Sequence, residues 1–263
     1  MIIVKVGGGQ RINLKGVVQD LAGVAEPFII VHGANAVRDD LAARLGHPTK
    51  TVTSVSGYTS VLSDENAIDV IMMAYAGVQN KRLVELCQQH GINAVGLSGI
   101  DGKAVQGARN KGIRVRQNEK TIMMRDYSGK PRGVNKGLIT LLLDNGYVPV
   151  LCIPIIDENN TAINSENDDI VAVLQEELHA ETVIQLIEAP GFLNDAKDEN
   201  SVVARISKME LESLEAQVEG RMKRKIHALA KLAATGVQRI LISDGRVEHP
   251  IQDALNGKGT TIQ

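Results

Sequence analysis

The sequence predicts an α/β protein with a mainly parallel central sheet covered by helices on both faces. Strand-like apolar runs alternate with helical patterns along most of the 263 residues. The strand-like runs are continuous in Ile, Val and Leu, whereas a strand with one solvated face would alternate apolar and polar residues. These two observations predict a three-layer sandwich.

The elements follow from these patterns in chain order. We expect strands at 2–6, 28–32, 92–97, 147–153, 182–187 and 238–242, and helices near 14–25, 35–45, 64–90, 133–145, 168–179 and 220–235. Residues 103–130 are the exception and predict a β-hairpin insertion with a polar turn at 117–120. The polar loop 157–161 is the predicted boundary between two lobes, 1–156 and 157–263.

Composition limits the classes of partner. The chain has 29 Lys and Arg against 31 Asp and Glu, so its overall charge indicates neither a nucleic-acid nor a membrane partner. No apolar run approaches the ~20 residues that span a bilayer. Met1 leads directly into a strand without a basic leader, and Cys87 and Cys152 read as buried free thiols, so we expect a cytoplasmic protein.

The first strand carries the most informative local signal. Lys5 interrupts its apolar run, and a buried amine is costly unless an anion meets it. Gly7, Gly8 and Gly9 follow at once, so bare backbone can approach a ligand closely. This arrangement suits a phosphate or a carboxylate. Taken alone, a lysine reaching solvent beside an ordinary glycine turn explains it equally well.

Three further stretches could bind an anion, although the common nucleotide motifs are absent. GxxxxGK[ST] does not occur, and GxGxxG fails because Ile12 fills its last position. The second strand leads through residues 32–35 into a helix, whose free amides favour an anion, although a plain βα turn is the commoner reading. Before a late helix, Asn167 or Asp168 could be an N-cap, yet the polar cluster from Asn164 could also face Lys5. Residues 220–225 crowd cations at a helix start, which a bound anion would stabilise.

These stretches together carry a family resemblance over nearly the whole chain. Lys5-Val6-Gly7-Gly8, His32-Gly33, Ile163-Asn164 with Asp168, and a Gly-x-Met-x-x-Lys pattern at 220–225 occur in that order. Finer marks lie at 79–86, 96–102, 126–129 and 246–251. The chain resembles the amino acid kinase superfamily, in its acetylglutamate kinase branch, and is most similar to the carrier-protein-linked aminoadipate kinases of lysine biosynthesis. The resemblance implies the carbamate kinase-like fold and a homodimer.

The resemblance also implies the reaction and its residues. ATP with Mg²⁺ would phosphorylate a side-chain carboxylate, which needs no general base because its pKa of ~4 leaves it ionised at pH 7. The implied catalytic residues are Lys5, Asp168 and Lys225, and the implied phosphate-binding residues are Gly7, Gly8 and Gly33. Gly33, Ala34 and Asn164 would bind the amino acid in the lobe 1–156 and at its border. The nucleotide would be bound in the lobe 157–263 by Glu188, Gly191, Phe192, Lys223 and Lys225, and no dedicated metal ligand is implied.

Several positions depart from the family pattern and leave alternatives open. Val61 stands where the family has an arginine that grips the substrate's α-carboxylate, and Ala34 stands where a glycine is usual. A backbone amide survives the second change if the φ angle of Ala34 is negative. A kinase for free N-acetylglutamate and an inactive nucleotide-binding homologue are therefore the two alternatives.

The predicted hairpin adds an observation of its own. Residues 103–132 hold nine Lys or Arg and two acids, a formal charge of +7 within a chain of net charge −2. Such a patch suggests docking of an acidic macromolecule, although a solvated hairpin with scattered charges is nearly as good a reading. The resembling family has such a partner, a small acidic amino-group carrier protein. The residues predicted to meet it are Arg109, Arg114, Arg116 and Arg125.

Overall fold

The computed structural model describes residues 1–55, 57, 59–117, 120–217 and 220–263, without the side chains of 117, 212, 216, 217 and 220–224. The strands in this part of the chain are β1 (Ile2–Val6), β2 (Phe28–His32), β3 (Thr51–Thr53), β4 (Thr59–Val61), β5 (Ala94–Ser98), β6 (Val105–Arg109), β7 (Ile113–Gln117), β8 (Lys120–Met124), β9 (Gly129–Val134), β10 (Val148–Cys152), β11 (Ile155–Ile156), β12 (Ala162–Ile163), β13 (Thr182–Ile187), β14 (Arg205–Ile206), β15 (Arg239–Asp244) and β16 (Thr260–Ile262).

The helices of the described residues are α1 (Leu14–Leu21), α2 (Asn35–Arg44), α3 (Glu65–Ile71), α4 (Asn80–Gln89), α5 (Lys136–Asp144), α6 (Asn167–Leu178), α7 (Lys208–Gln217), α8 (Gly220–Ala234) and α9 (Pro250–Leu255). A wide π-helical segment, Met72–Gln79, joins α3 to α4, and a short 3₁₀ turn spans Asp101–Lys103. None of the helices in the described ranges is long and apolar enough to cross a membrane.

One large sheet organises the molecule, and it confirms the predicted fold class. Its eight strands lie in the order β14-β16-β15-β13-β1-β2-β10-β5, and every neighbouring pair is parallel except β15 and β16. All six predicted strands belong to it. Strand β1 lies between β2 and β13, so the sheet continues across the predicted lobe boundary at 157–161. The division into two lobes stays a prediction.

The second sheet and two hairpins lie outside this frame. Strands β12-β11-β6-β9 form a four-stranded sheet, and β3-β4 and β7-β8 form separate hairpins. The predicted hairpin within 103–130 is confirmed as β7 and β8, and two residues of its turn, 118 and 119, lie outside the described residues. The four-stranded sheet and the β3-β4 hairpin were not predicted. The helix predicted near 133–145 begins only at Lys136, because Gly129–Val134 is strand β9.

Helices cover both faces of the main sheet, and side-chain alternation along β1 assigns its residues to them. Ile2, Val4 and Val6 join a buried cluster with side chains of α1, α4 and α9. Ile3 joins the opposite cluster with side chains of α3, α5, α6 and α8. Because successive strand residues point to opposite faces, Lys5 lies on the face of Ile3 and therefore toward α6.

A buried carboxylate fixes the short helix α9 and supports a stability prediction. The Asp20 side chain is 1% exposed and accepts hydrogen bonds from the backbone N–H groups of Ile251 (2.9 Å) and Gln252 (3.1 Å) and from His249 Nδ1 (2.9 Å). We expect Asp20→Asn to lower the free energy of unfolding by about 2 kcal/mol, because one acceptor oxygen becomes an amide donor facing N–H groups. Thermal denaturation measures it, at about 2–4 °C per kcal/mol for a chain of this size.

A control and a pH series sharpen this test. Asp64 caps α3 in the same way through Ala67 N (2.9 Å) but is exposed, so Asp64→Asn should change the melting temperature by less than about 2 °C.

The hydrogen bond from Asp20 raises the pKa of His249 above its ordinary 6.5. A raised folded-state pKa stabilises the protein fully below pH 6.5, and that contribution is lost as the pH rises through the raised value. The difference between wild type and Asp20→Asn should therefore shrink above pH 6.5, and a constant difference would contradict the assignment.

Candidate active site

Lys5 and Asp168 form the centre of the candidate site. Lys5 points from β1 toward the start of α6, and its Nζ lies 3.0 Å from Asp168 Oδ1. The two side chains are 14% and 27% exposed, so the ion pair is shielded yet reachable from solvent. The predicted N-cap at Asn167 or Asp168 is wrong, because α6 begins at Asn167 and Glu166 precedes it as N-cap. Asp168 therefore lies in the first turn, where its carboxylate orients the lysine.

Two glycine turns meet beside this pair. The turn after β1 and the turn after β2 approach so closely that neither can carry a side chain at the contact. A Cβ on Gly33 would lie 2.7 Å from the nitrogen of Gly8, and a Cβ on Gly8 would lie 2.5 Å from the nitrogen of Ala34. Real Cβ atoms do not approach a nitrogen this closely. Glycine is required here by contact with backbone, independently of φ.

The hydrogen bonds of these turns divide the predicted phosphate-binding amides into two groups. Gly7 donates to the carbonyl of Leu186 and Gly33 donates to that of Val6, each at 2.9 Å, so both N–H groups are engaged within the sheet. The N–H of Gly8 donates to no group among the described residues, whereas the N–H of Ala34 interacts with the hydroxyl of Tyr75. The φ angle of Ala34 is −148°, which confirms that its amide survives the loss of glycine. The open amide at this contact is thus that of Gly8, with the amide of Ala34 next to it on Tyr75, while Gly33 supplies the close approach.

A cleft of about 450 Å³ contains the predicted substrate residue Asn164. Val61 lines the same cleft, as do Arg114 and Lys130. Val61 presents no charge, and the charged side chains among the described residues that line this cleft are Arg114, Lys130, Glu166 and Asp169. The cleft therefore has two cations that could face a carboxylate, offset by two acids.

A buried network holds Asn164 in place. Its Nδ2 donates to Ser63 Oγ (2.9 Å), and the N–H of Ser63 donates to Asp126 Oδ2 (3.1 Å). Asp126, 4% exposed, also accepts from the hydroxyl of Ser128 (2.6 Å). The backbone of Asn164 pairs with Tyr127 and Gly129. Sequence reasoning missed Asp126 as a support of this site, because its partners lie 63 and 2 residues away in the chain.

The predicted nucleotide residues lie at the ends of β13 and β16 and in α8. Glu188 follows β13, and its carboxylate accepts from the N–H of Arg11 (2.6 Å) against the glycine turn. Gly191 and Phe192 pack on β16, where Phe192 N donates to Thr260 Oγ1 (2.8 Å). Lys225 is exposed in the first half of α8, and the side chain of Lys223 lies outside the described residues. The roles of these residues stay predictions.

Three ion pairs of the region were not predicted. Lys231 of α8 lies 3.1 Å from Asp169 Oδ1, one residue beyond Asp168. Arg246, after β15, binds Asp244 (2.7 Å) and Glu199 (2.6 Å) at once, which ties a surface loop to the end of β15. Burial raises the pKa of Asp244, but the hydrogen bonds from Arg246 outweigh it and the net pKa is lowered. Nothing in the local sequence pairs these residues, since the contacts depend on the sheet order.

The four predicted docking arginines separate by position. Arg109 is held at the base of the hairpin, where its Nε donates to the carbonyl of Asp126 (2.9 Å) and its guanidinium lies 4.0 Å from the ring centre of Tyr127. Arg114 and Arg116 are exposed on one face of β7, with the buried Val115 between them. Arg125 is exposed just beyond β8. Three of the four are thus presented to solvent.

Comparison with known proteins agrees with this geometry. The amino acid kinase family profile matches residues 1–244. The chain belongs to the amino acid kinase family. It is 40% identical to a [LysW]-aminoadipate kinase of Thermus thermophilus over 100% of both chains. It is 41% identical to a [LysW]-aminoadipate kinase of Deinococcus radiodurans, covering 100% of this chain and 91% of the other.

Solved structures of the amino acid kinase family share the fold. The carbamate kinase of Giardia superposes with a TM-score of 0.67 at 15% identity, over 99% of this chain and 97% of the other. The carbamate kinase-like fold expected from the sequence is thereby confirmed. The family membership explains why β1, β2 and α6 converge on one point, since their ends carry the lysine, the glycine turns and the aspartate of the site.

Proposed function

We propose that this protein is an ATP-dependent kinase that phosphorylates the side-chain carboxylate of an N-blocked acidic amino acid, 2-aminoadipate or glutamate, carried by a small acidic protein. The observation that supports it best is the Lys5–Asp168 pair at 3.0 Å, together with the glycine turns that bring the open N–H of Gly8 next to that of Ala34. A cation and paired N–H groups suit a phosphoryl group in transfer, and no general base is needed. Kinase activity fits membership of the amino acid kinase family.

The reaction divides among the residues as follows. A carboxylate oxygen of the substrate forms a bond to the γ-phosphorus while the bond from that phosphorus to the ADP oxygen breaks, giving an acyl phosphate and ADP. Lys5 neutralises charge on the transferred group, and Asp168 holds its ammonium in place. The amides of Gly8 and Ala34 receive phosphoryl oxygens. Lys225 approaches from α8 on the nucleotide side, and Asn164 orients the amino acid in the cleft.

Mg²⁺ would be carried by the nucleotide. Both carboxylates at the start of α6 are engaged with lysines, Asp168 with Lys5 at 3.0 Å and Asp169 with Lys231 at 3.1 Å. The residues present therefore fit an ion bound by phosphate oxygens and water, as Mg²⁺ commonly is in kinases. Such an ion would offset the negative charge of the phosphate groups.

The carrier would dock on the exposed face of the β7–β8 hairpin. Cross-strand partners share a face, so Arg114 and Arg116 stand beside Met123 and Thr121. Met123 is 51% exposed, which adds an apolar contact to the basic surface. Arg114 also lines the cleft of Asn164, so the docking face and the substrate cleft adjoin. The names of the relatives from Thermus and Deinococcus support a carrier of the LysW type.

A coupled assay of ADP release tests the function. N-acetylglutamate, N-acetylaminoadipate and carrier-linked aminoadipate are compared as substrates. We expect the carrier-linked substrate to give the highest kcat/KM. Preference for N-acetylglutamate would favour the acetylglutamate kinase alternative, and no turnover with any of the three would leave the inactive homologue. Sedimentation of the same preparation tests the expected homodimer.

Charge reversal on the hairpin tests the carrier. Arg114→Glu with Arg116→Glu should raise KM for the carrier-linked substrate at least about tenfold, because electrostatic complementarity is inverted. The KM for ATP should stay unchanged. Arg44→Glu with Arg82→Glu, at two arginines each 73% exposed, makes the same charge change elsewhere and should have no effect. An unchanged KM for the carrier-linked substrate in the hairpin variant would contradict the proposed docking surface but not the proposed kinase activity.

A further inference from the structure

We propose that Lys81, Asn80 and His32 form a chain of positioning residues that turns the amide of Ala34 toward the transferred phosphate. The inference rests on the proposed kinase function. None of these three side chains lines the substrate cleft, and His32 and Asn80 are both fully buried. Buried polar side chains are costly unless each is satisfied, so their arrangement needs a reason.

The chain begins with the orientation of the Asn80 amide. Lys81 Nζ lies 3.2 Å from Asn80 Oδ1 and 3.2 Å from the carbonyl of Gly96. An ammonium group only donates, so the atom of Asn80 that faces it must be the oxygen. The amide nitrogen then faces inward, 3.1 Å from His32 Nε2 and 3.0 Å from the carbonyl of Val150. A Cβ on Gly96 would overlap Asn80 Oδ1, so the absence of a side chain at 96 makes this orientation possible.

Asn80 in turn decides the tautomer of His32. Because the Asn80 nitrogen donates, His32 Nε2 must accept, and the ring proton resides on Nδ1. Nδ1 then donates to the carbonyl of Gly33 at 3.2 Å. Burial lowers the pKa of His32 to about 4; the hydrogen bond to Gly33 opposes this shift and the charge of Lys81 adds to it. The ring is therefore neutral at pH 7.

The planarity of one peptide unit links the hydrogen bond of His32 to the direction of the Ala34 N–H. The carbonyl of Gly33 and the N–H of Ala34 belong to the same trans peptide, so they point in opposite directions. While His32 holds the carbonyl inward, the N–H of Ala34 must point outward. The Ala34 nitrogen does lie against Gly8, only 2.5 Å from where a Cβ of Gly8 would be. The network and the hydroxyl of Tyr75 thus fix the direction of this donor together.

Kinetics of four variants test the inference. His32→Leu removes the donor and should lower kcat about 100-fold, the cost of a misplaced oxyanion donor. His32→Gln can still donate to Gly33 and accept from Asn80, so its kcat should stay within about tenfold of wild type. Lys81→Met removes the donor to Asn80 Oδ1 but leaves the hydrogen bond from Asn80 to the carbonyl of Val150, so the amide is loosened and kcat should fall about fivefold. Arg82→Met is the matched control, since Arg82 is 73% exposed and pairs with Glu85; it should leave kcat unchanged.

The readouts separate positioning from structure and from the proposed function. KM for ATP should change less than threefold in each folded variant. Equal kcat losses in His32→Leu and His32→Gln at unchanged melting temperature would overturn the inference, as would equal kcat in Lys81→Met and Arg82→Met.

Long-range ¹H–¹⁵N spectra of the ¹⁵N-histidine-labelled protein should show His32 as the neutral Nδ1–H tautomer at pH 7, with His32→Gln assigning the signal. A charged ring or the Nε2–H tautomer would overturn it even if His32→Leu fails to fold. Inactive wild-type protein would refute the proposed function alone, because the spectra need no turnover.

Discussion

Lys5→Met is expected to lower kcat about 10³-fold, at the upper end of the loss seen when one charged or hydrogen-bonding group is removed from a transition state. The ammonium is held by Asp168 at 3.0 Å, so it needs little reorganisation to meet the transferred phosphoryl group. The methionine is apolar and of similar length, so the packing of β1 against α6 should survive. Single-turnover measurement of ADP formation at saturating ATP reports the chemical step directly.

The control for this prediction is another lysine with a carboxylate partner. Lys258 pairs with Asp253 of α9 at 2.8 Å, and its side chain is 69% exposed. Lys258→Met should leave kcat within about twofold of wild type, since a surface pair contributes little to the rest of the molecule. If Lys5→Met retained a tenth of the wild-type kcat at an unchanged melting temperature, the assignment of Lys5 to the moving phosphate would be wrong.

Gly8→Ala should damage both activity and stability. Its Cβ would lie 2.5 Å from the nitrogen of Ala34 and 2.6 Å from that of Asn35, so the two glycine turns must separate. We expect kcat to fall about 100-fold, because the N–H groups of Gly8 and Ala34 would be moved apart from each other. Overpacking should also lower the free energy of unfolding by about 2 kcal/mol. Kinetics and chemical denaturation of the purified variant measure both.

Gly23→Ala is the matched control for Gly8→Ala. The nearest atom to a Cβ there is the carbonyl oxygen of Asp20 at 3.5 Å, an ordinary contact. Gly23→Ala should leave both kcat and stability close to wild type. A Gly8→Ala variant that behaves like Gly23→Ala would show that the two turns can move apart without loss, and that the amides of Gly8 and Ala34 do not act together.

The buried strands could be predicted because their sequences have one physical explanation. Runs such as Phe28–His32 and Thr182–Ile187 fit only a strand covered on both faces, and the basic hairpin followed from its polar turn. Strand β9 (Gly129–Val134) could not be predicted, since its Gly and Pro residues oppose strand formation locally and its pairing with β6 decides. The short helix α9 was missed because its stability depends on Asp20, more than 200 residues earlier.

The candidate site shows the same division. Lys5 and Asp168 could be predicted, because a charge in a buried strand demands a partner. The hydrogen bond from the Gly33 N–H to the carbonyl of Val6 could not be predicted, since it depends on the register that places Val6 beside His32. The orientation of Asn80 depends on a lysine, a histidine and a glycine from three elements. Strand register and amide orientation depend on residues that are far apart in the chain, so no local sequence pattern predicts them.

The position of β1 between β2 and β13 has a consequence for biosynthesis. Strand β2 follows β1 within 22 residues of Val6, but the other neighbour of β1, strand β13, begins only at Thr182. A nascent chain shorter than this exposes one edge of β1 as an open, apolar template for pairing with other chains. Translational pausing before residue 182 should therefore promote aggregation, whereas pausing after residue 187 should not. Strand β1, which carries Lys5, is therefore paired on its second edge only late in synthesis.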